Sequence, residues 1–124
     1  MSDSRPVLQP SEDHPITISP TEAKVVVRVG DNVVAESTSA LTLQESTYPA
    51  VQYVPVADVI SELAGPTATT SYCPYKGDCS YFTIKTPDGE VVDAAWGYQA
   101  PYPAVAEIAG HVAFYPNKVT IDVG

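Results

Sequence analysis

The chain has 124 residues, 44% of them hydrophobic and 17% charged, and its formal net charge is −9. This length is typical of one domain, which we expect at residues 15–124 behind a flexible, polar leader at residues 1–14. The acidic balance excludes nucleic acid as a favoured partner, because phosphate backbones would be repelled. With no apolar run long enough for a membrane span and no apolar core of a secretory signal, we expect a cytoplasmic protein.

Three β-hairpins are predicted, because pairs of extended runs are separated by turn residues. They comprise residues 24–29 with 33–37, residues 81–85 with 90–96, and residues 111–115 with 118–123. In the second hairpin, Asp88-Gly89 provides the left-handed residue that a tight turn needs. Two further short strands, residues 40–45 and 51–55, are predicted around a bend at Tyr48-Pro49.

Two short helices are also predicted. Between Pro55 and Gly65-Pro66, apolar residues at helical spacing predict a helix of about two turns that covers one sheet face. These apolar residues are Val56, Val59, Ile60 and Leu63. A second helical pattern runs over residues 104–109 and is closed by Gly110. Roughly eight strands without regular βαβ alternation predict a mainly β, compact single domain, either a sandwich or a partly open barrel.

Residues 70–82 hold both cysteines and three of the eight tyrosines around a Pro/Lys/Gly turn. Lys76-Gly77 at such a turn can offer an ammonium and backbone N–H groups to an anionic ligand. An ordinary solvated lysine is the competing interpretation. We expect Lys76 to be exposed and functional, so that Lys76→Ala leaves the melting temperature nearly unchanged, whereas Gly77→Val lowers it. If Lys76→Ala destabilises the fold as much as Gly77→Val, the ammonium is instead a buried structural partner of Glu45 or Asp58.

The two cysteines are interpreted as reduced, buried thiols, since the chain carries no export signal. Lys76, three residues from each, could instead lower the pKa of one thiol. Zinc sites usually take their ligands from paired Cys-x-x-Cys knuckles, whereas here five residues separate Cys73 from Cys79 and the chain has only two histidines. We therefore expect no metal and no cofactor, and we interpret His14 as a surface residue.

A cleft lined by aromatic side chains with polar tips is expected, because open β-scaffolds often line ligand pockets in this way. The proposed catalytic residues are Lys76 and Glu45, and the proposed ligand-binding residues are Tyr53, Asp58, Cys73, Tyr81, Trp96 and Tyr98. The competing interpretations are an aromatic core, a surface charge at Glu45 and a first-turn helix charge at Asp58.

We therefore expect a small-ligand-binding β domain, monomeric or homodimeric, whose small-molecule ligand and possible enzymatic activity the sequence leaves open. The alternative is a non-catalytic structural or protein-interaction module, in which the aromatic residues form a core or an exposed patch.

Several motifs together resemble one family, catalogued as domain of unknown function 427. They are Val33-Val34-Ala35-Glu36-Ser37, Tyr48-Pro49, Tyr53-x-Pro55-x-x-Asp58-Val59, Thr70-x-x-Cys73-Pro74-Tyr75-Lys76-Gly77, Ala95-Trp96-x-Tyr98-x-x-Pro101 and Val112-Ala113-Phe114-Tyr115. The resemblance runs from about His14 to the C-terminus, and the Cys-Pro-Tyr-Lys-Gly block is its most specific part.

The resemblance implies a compact, mostly β architecture similar to the Mss4-like or β-tent folds, whose relatives often bind zinc through two Cys-x-x-Cys pairs. This chain contains neither pair. The family also carries a nucleotidyltransferase-like label. Nucleotidyl transfer usually needs carboxylates spaced to hold Mg²⁺ against a triphosphate, and we expect no such site here.

Overall fold

The structure is a computed structural model that describes residues 5–124. Within that range the chain forms eleven strands and two short 3₁₀ segments, Val56–Asp58 and Pro103–Ile108. The strands are β1 (Ile16–Pro20), β2 (Val25–Val29), β3 (Asn32–Ser37), β4 (Leu41–Glu45), β5 (Val51–Pro55), β6 (Glu62–Ala64), β7 (Thr70–Cys73), β8 (Gly77–Thr86), β9 (Gly89–Gly97), β10 (His111–Phe114) and β11 (Thr120–Val123).

The strands pair antiparallel in two sheets. The larger sheet has the order β1-β4-β5-β10-β9-β8-β6, with β7 also paired to β8, and the smaller sheet has the order β11-β2-β3. The predicted mainly β fold is confirmed, and the sheets do not close into a barrel. No helix in the described part of the chain has the length and apolar character needed to span a membrane.

The large sheet has a buried cluster on each face. On one face, Val54, Val112 and Phe114 belong to a cluster with Val25 and Val27 of the small sheet. The neighbouring residues Tyr53 and Ala113 belong to a second cluster with Val105 and Ile108 of the second 3₁₀ segment. Because successive side chains of a strand point to opposite faces, the two clusters lie on opposite sides of the sheet.

The first two predicted hairpins are confirmed. Strand β2 pairs with β3, Val25 lying opposite Ser37, and β8 pairs with β9. The two strands around the Tyr48-Pro49 bend also form, and they pair with each other as β4 and β5. In each case a local turn signal joins strands that are adjacent in the sequence.

The predicted third hairpin is wrong. Strand β10 lies between β5 and β9 in the large sheet, whereas β11 pairs with β2 in the small sheet. Residues Pro116-Asn117 turn the chain, as predicted. The turn carries the chain from one sheet to the other because both strands find their partners far away in the sequence.

The predicted helix after Pro55 is also wrong in extent. Only Val56–Asp58 forms a 3₁₀ turn. Beyond it, Val59 makes a β-bridge with Ala35, and Leu63 lies opposite Ile84 in the pairing of β6 with β8. These contacts with β3 and β8 outweigh the helical periodicity of so short a segment. The second predicted helix is present as the 3₁₀ segment Pro103–Ile108.

The leader predicted at residues 1–14 falls partly outside the described residues. From residue 5 onward it contacts the β7–β8 hairpin: Arg5 pairs with Asp78, the Tyr72 hydroxyl donates to the Pro6 carbonyl at 2.7 Å, and Leu8 N–H donates to the Pro74 carbonyl at 3.0 Å. The leader's flexibility stays a prediction.

Gly65 and Gly89 both have a positive φ, but the atoms around them differ. We therefore expect different losses of stability when each is replaced by alanine. A Cβ at Gly65 (φ +152°) would lie 2.9 Å from both Phe82 Cδ1 and the Tyr81 carbonyl oxygen, whereas Gly89 (φ +133°) has nothing within 4 Å. We expect Gly89→Ala to cost about 1 kcal/mol of unfolding free energy through backbone strain. Gly65→Ala should cost about 2 kcal/mol more through overpacking. Urea unfolding of both variants checks this, and equal losses would contradict it.

Candidate functional site

A cavity of about 260 Å³ opens on the face of the large sheet that lies opposite the small sheet. Its wall combines one ion pair, Glu45 and Lys76, with many aromatic rings. The other lining residues are Leu43, Tyr48, Pro49, Val51, Tyr53, Cys79, Tyr81, Trp96, Tyr98 and Tyr115. The cavity is therefore polar at one place and aromatic around it.

The Glu45 carboxylate is held from both sides. Lys76 Nζ lies 2.6 Å from Glu45 Oε1, and His14 Nε2 lies 2.7 Å from Glu45 Oε2. Since an ionised carboxylate only accepts hydrogen bonds, His14 Nε2 carries the proton and donates. The side chains of Lys76 and Glu45 are only 11% and 15% exposed. We call these three residues the Glu45 cluster.

Strand pairing brings His14 to Glu45. Ile16 at the start of β1 lies opposite Glu45 at the end of β4, and His14 precedes Ile16 by two residues. The Ser46 N–H donates to the Pro15 carbonyl at 2.8 Å, and this hydrogen bond holds the residue ahead of β1 against the residue that follows β4. The His14 ring also stacks on Tyr75, the rings being 4.2 Å apart and 9° from parallel.

Lys76 is held by the tight turn between β7 and β8. Its N–H donates to the Cys73 carbonyl at 3.2 Å, and its own carbonyl accepts from Tyr102 N–H at 2.9 Å. Gly77 follows with φ +110°, a conformation that other residues rarely adopt. The turn thus directs the Lys76 side chain inward, where Nζ lies 3.8 Å from Cys73 Sγ and 5.7 Å from the centre of the Tyr98 ring.

The cluster lowers the pKa of Glu45. Burial by itself raises the pKa of this carboxyl, but hydrogen bonds from Lys76 and His14, together with their charges, outweigh burial and bring the pKa below its usual value of 4.5. Glu45 is therefore ionised at neutral pH.

Three tyrosine hydroxyls at the cavity, those of Tyr53, Tyr98 and Tyr115, stay protonated at neutral pH. Burial is the main cause that raises the pKa of Tyr53, Tyr98 and Tyr115 far above the ordinary value of a phenol. Burial likewise raises the pKa of the Cys79 thiol. Neutral hydroxyls both donate and accept hydrogen bonds, so these groups suit a polar, uncharged partner.

The structure brings six of the eight predicted site residues to this cavity. They are Glu45, Tyr53, Lys76, Tyr81, Trp96 and Tyr98. Cys73 lies beside them through its contact with Lys76. Asp58 does not line the cavity; it accepts a hydrogen bond from Ser37 Oγ at 2.6 Å. Tyr102 also lies outside, with its hydroxyl 2.7 Å from that of Tyr72.

Three residues of the site were misassigned or missed from the sequence. His14 was interpreted as a surface residue, yet its side chain is only 24% exposed and bonds to Glu45. The spacing of His14 from β1 becomes informative only when β1 is known to pair with β4. Tyr115 was not singled out as a site residue, although it lines the cavity and its ring centre lies 4.5 Å from that of Trp96, with the two rings tilted by 42°. Lys76 was expected to be exposed, which is wrong, because only 9% of the residue is accessible.

The described residues also bear on metal binding, on a disulfide and on nucleotidyl transfer. Within residues 5–124, no group of three or more His, Cys, Asp or Glu side chains is placed to hold a metal ion. Cys73 and Cys79 are both free thiols. The Asp-x-Glu pair Asp88 and Glu90 is exposed in the β8–β9 hairpin, where Asp88 accepts from Asn32 Nδ2, and it does not line the cavity.

The comparisons with known proteins agree with the resemblance seen in the sequence. A family model named NTP_transf_9 and described as "Domain of unknown function (DUF427)" matches residues 17–123. The chain belongs to this family. No curated protein matches it.

The burial of the ion pair predicts that Lys76 supports the fold. Lys76→Met leaves Glu45 charged and poorly solvated, so we expect a loss of about 3 kcal/mol in unfolding free energy. The matched control is Lys85→Met, because Lys85 and Glu62 form an exposed pair at 3.7 Å. That change should cost less than about 1 kcal/mol. Urea unfolding of both variants measures the difference. Equal losses of unfolding free energy would contradict the burial of the Glu45–Lys76 ion pair.

The lowered pKa of Glu45 predicts a pH dependence. A carboxyl whose pKa is lower in the folded state stabilises the fold above its unfolded pKa, and this contribution is lost as the pH falls through the folded pKa. The unfolding free energy of the wild type should therefore fall more steeply than that of Glu45→Gln from about pH 5 to about pH 3. Parallel curves in urea titrations would be inconsistent with a lowered pKa.

Proposed function

We propose that this protein binds a small, planar and uncharged molecule with hydrogen-bonding groups in the cavity beside the Glu45 cluster. The observation that carries the proposal is the placement of a satisfied ion pair in the wall of an aromatic cavity. Removing two charges from water costs free energy that a well-packed apolar pair would not. An ion pair at such a place is typical of a binding site, where few polar groups orient a ligand among aromatic side chains.

The charges of the cluster favour an uncharged ligand. The Lys76 ammonium is matched by the Glu45 carboxylate at 2.6 Å, and the Lys76 N–H is engaged by the Cys73 carbonyl. The anionic ligand considered from the sequence is therefore disfavoured, because its charge would have to compete with Glu45. An ammonium has three donors, and one of them remains for a ligand acceptor beside those directed to Glu45 and Cys73.

The aromatic rings favour a planar ligand. Trp96 and Tyr115 lie 4.5 Å apart, Tyr115 is parallel to Tyr81 within 3°, and Tyr53 meets Trp96 edge to face. Trp96 and Tyr115 are tilted by 42° to each other, so the set presents both ring faces and ring edges, and aromatic groups favour offset-stacked and edge-to-face contacts with another planar ring. The volume of about 260 Å³ lies just below the usual range of small-molecule sites, which begins at about 300 Å³, and this suits a ligand of about one or two rings.

We assign Glu45 and Lys76 a role in ligand binding rather than in catalysis. A general base works best when its pKa lies near the working pH, whereas the pKa of Glu45 is lowered.

The sequence-based suggestion that the two residues are catalytic stays a prediction, as do the monomeric or homodimeric state and the likeness to Mss4-like folds. We propose the cytoplasm as the compartment, because two free thiols suit a reducing environment.

The alternative, a protein-interaction module, has one observation in its favour. Tyr48 is 60% exposed beside the cavity mouth, as an anchor for a protein partner would be. The two functions differ in whether a small molecule alone fills the cavity.

Trp96 is the only tryptophan of the chain and lines the cavity, so its fluorescence reports occupancy. We expect a saturable fluorescence change with at least one member of a panel of phenols, pyrimidines, pyridine carboxamides and hydroxybenzoate esters. Glu45→Gln should weaken that binding at least about tenfold, because Glu45 positions the Lys76 ammonium and hydrogen bonds to charged groups contribute about 1.5–3 kcal/mol. Glu62→Gln, which changes the exposed pair, is the matched control and should leave the affinity unchanged. A panel without any response, or equal affinity in Glu45→Gln, would refute the proposal.

A further inference from the structure

An apolar groove of about 490 Å³ adjoins the cavity. It shares four lining residues with the cavity, namely Tyr48, Pro49, Val51 and Trp96. The residues that line only the groove are mostly apolar and include Ala50, Phe114, Pro116, Ile121 and Val123. None of them carries a charge. The polar and apolar spaces thus meet along one segment of chain and one indole ring.

The groove lies where the large sheet divides. Strands β5 and β10 are paired only at His111 opposite Pro55 and Val112 opposite Val54. Beyond these pairs, Val51 continues β5 along β4, and Phe114 continues β10 along β9. The groove is lined from both sides of this division. It includes Trp96, which packs on the cavity face, and Phe114, which packs on the opposite face.

We infer that the ligand of this protein is amphipathic: its planar polar head occupies the cavity, and an apolar chain attached to the head lies in the groove. This inference rests on the proposed function, which supplies the head. The shared residues carry the inference, because Trp96 and Val51 line both spaces, so a molecule in contact with them in the cavity lies next to the groove. The class of ligand is a phenol or a similar planar ring that bears an alkyl or prenyl-like hydrocarbon chain.

The groove is suited to a chain because it offers hydrocarbon contact without charge. Val123, at the end of β11, is 50% exposed, and Tyr48 is exposed at the junction of the two spaces. Burying such apolar surface against a hydrocarbon chain is favourable in proportion to the area covered. If the ligand occupied the polar cavity alone, lengthening its hydrocarbon chain would not raise the binding affinity.

The experiment uses the full chain and the n-alkyl esters of 4-hydroxybenzoic acid from methyl to hexyl, titrated by Trp96 fluorescence and by calorimetry. In the wild type we expect the affinity to rise about threefold for each added methylene, so that butyl binds about 30-fold more tightly than methyl. Val123→Glu places a charge in the groove and should remove most of this gain, measured relative to the same variant's methyl ester. Val92→Glu is the matched control, since Val92 is also exposed and lines neither space.

The outcomes separate the two proposals. If the methyl ester binds in a Glu45-dependent way but the affinity does not rise with chain length, or rises equally in Val123→Glu, the amphipathic inference fails and the proposed function stands. If no ester binds to the wild type, the amphipathic inference fails, and the full ligand panel alone decides the proposed function. If binding of the methyl ester is unaffected by Glu45→Gln, the proposed function fails and the inference fails with it. If Val123→Glu instead turns a dimer into a monomer in light scattering, the groove is a subunit interface and the inference is overturned.

Discussion

The Glu45 carboxylate is the constraint on which the site depends, because it joins three parts of the chain that would otherwise be independent. Its two oxygens bind Lys76 of the β7–β8 turn and His14 ahead of β1, while its backbone ends β4. A poorly solvated carboxylate without such partners would be protonated or would expose itself to water. The cluster therefore fixes the turn and the start of β1 relative to the central strands.

This arrangement also shapes the cavity. With the ammonium engaged by Glu45, Lys76 lies over Tyr98 and forms one wall, and the rings of Trp96 and Tyr115 form another. Strand alternation supplies the rest, because Tyr53 and Ala113 face the cavity side while their neighbours Val54 and Val112 pack against the small sheet. The fold thus uses one sheet for two purposes: one face packs against the small sheet, and the other holds the site beside the second buried cluster.

How far the sequence predicts this structure depends on the range of the interactions. The hairpins β2–β3 and β8–β9 are predicted because turn residues and extended runs are adjacent in sequence. Pairings that join distant segments are not: β10 leaves the expected partner β11 for β5 and β9, and Leu63 joins Ile84 instead of a helix. The same limit explains the site. Lys76, Trp96 and Tyr98 are identified by residue type and motif, but the role of His14 depends on the pairing of Ile16 with Glu45, which no local pattern indicates.

The claim that Glu45 and Lys76 form an energetically coupled pair is tested most directly by a double-mutant cycle. The unfolding free energies of the wild type, Glu45→Gln, Lys76→Met and the double variant would be measured in urea at neutral pH. Residues in contact within one charged network show coupling energies of about 0.5–3 kcal/mol. We predict a coupling of at least about 1.5 kcal/mol, with the double variant less destabilised than the sum of the single changes. A coupling below about 0.5 kcal/mol would contradict the account, because the two side chains would then act independently.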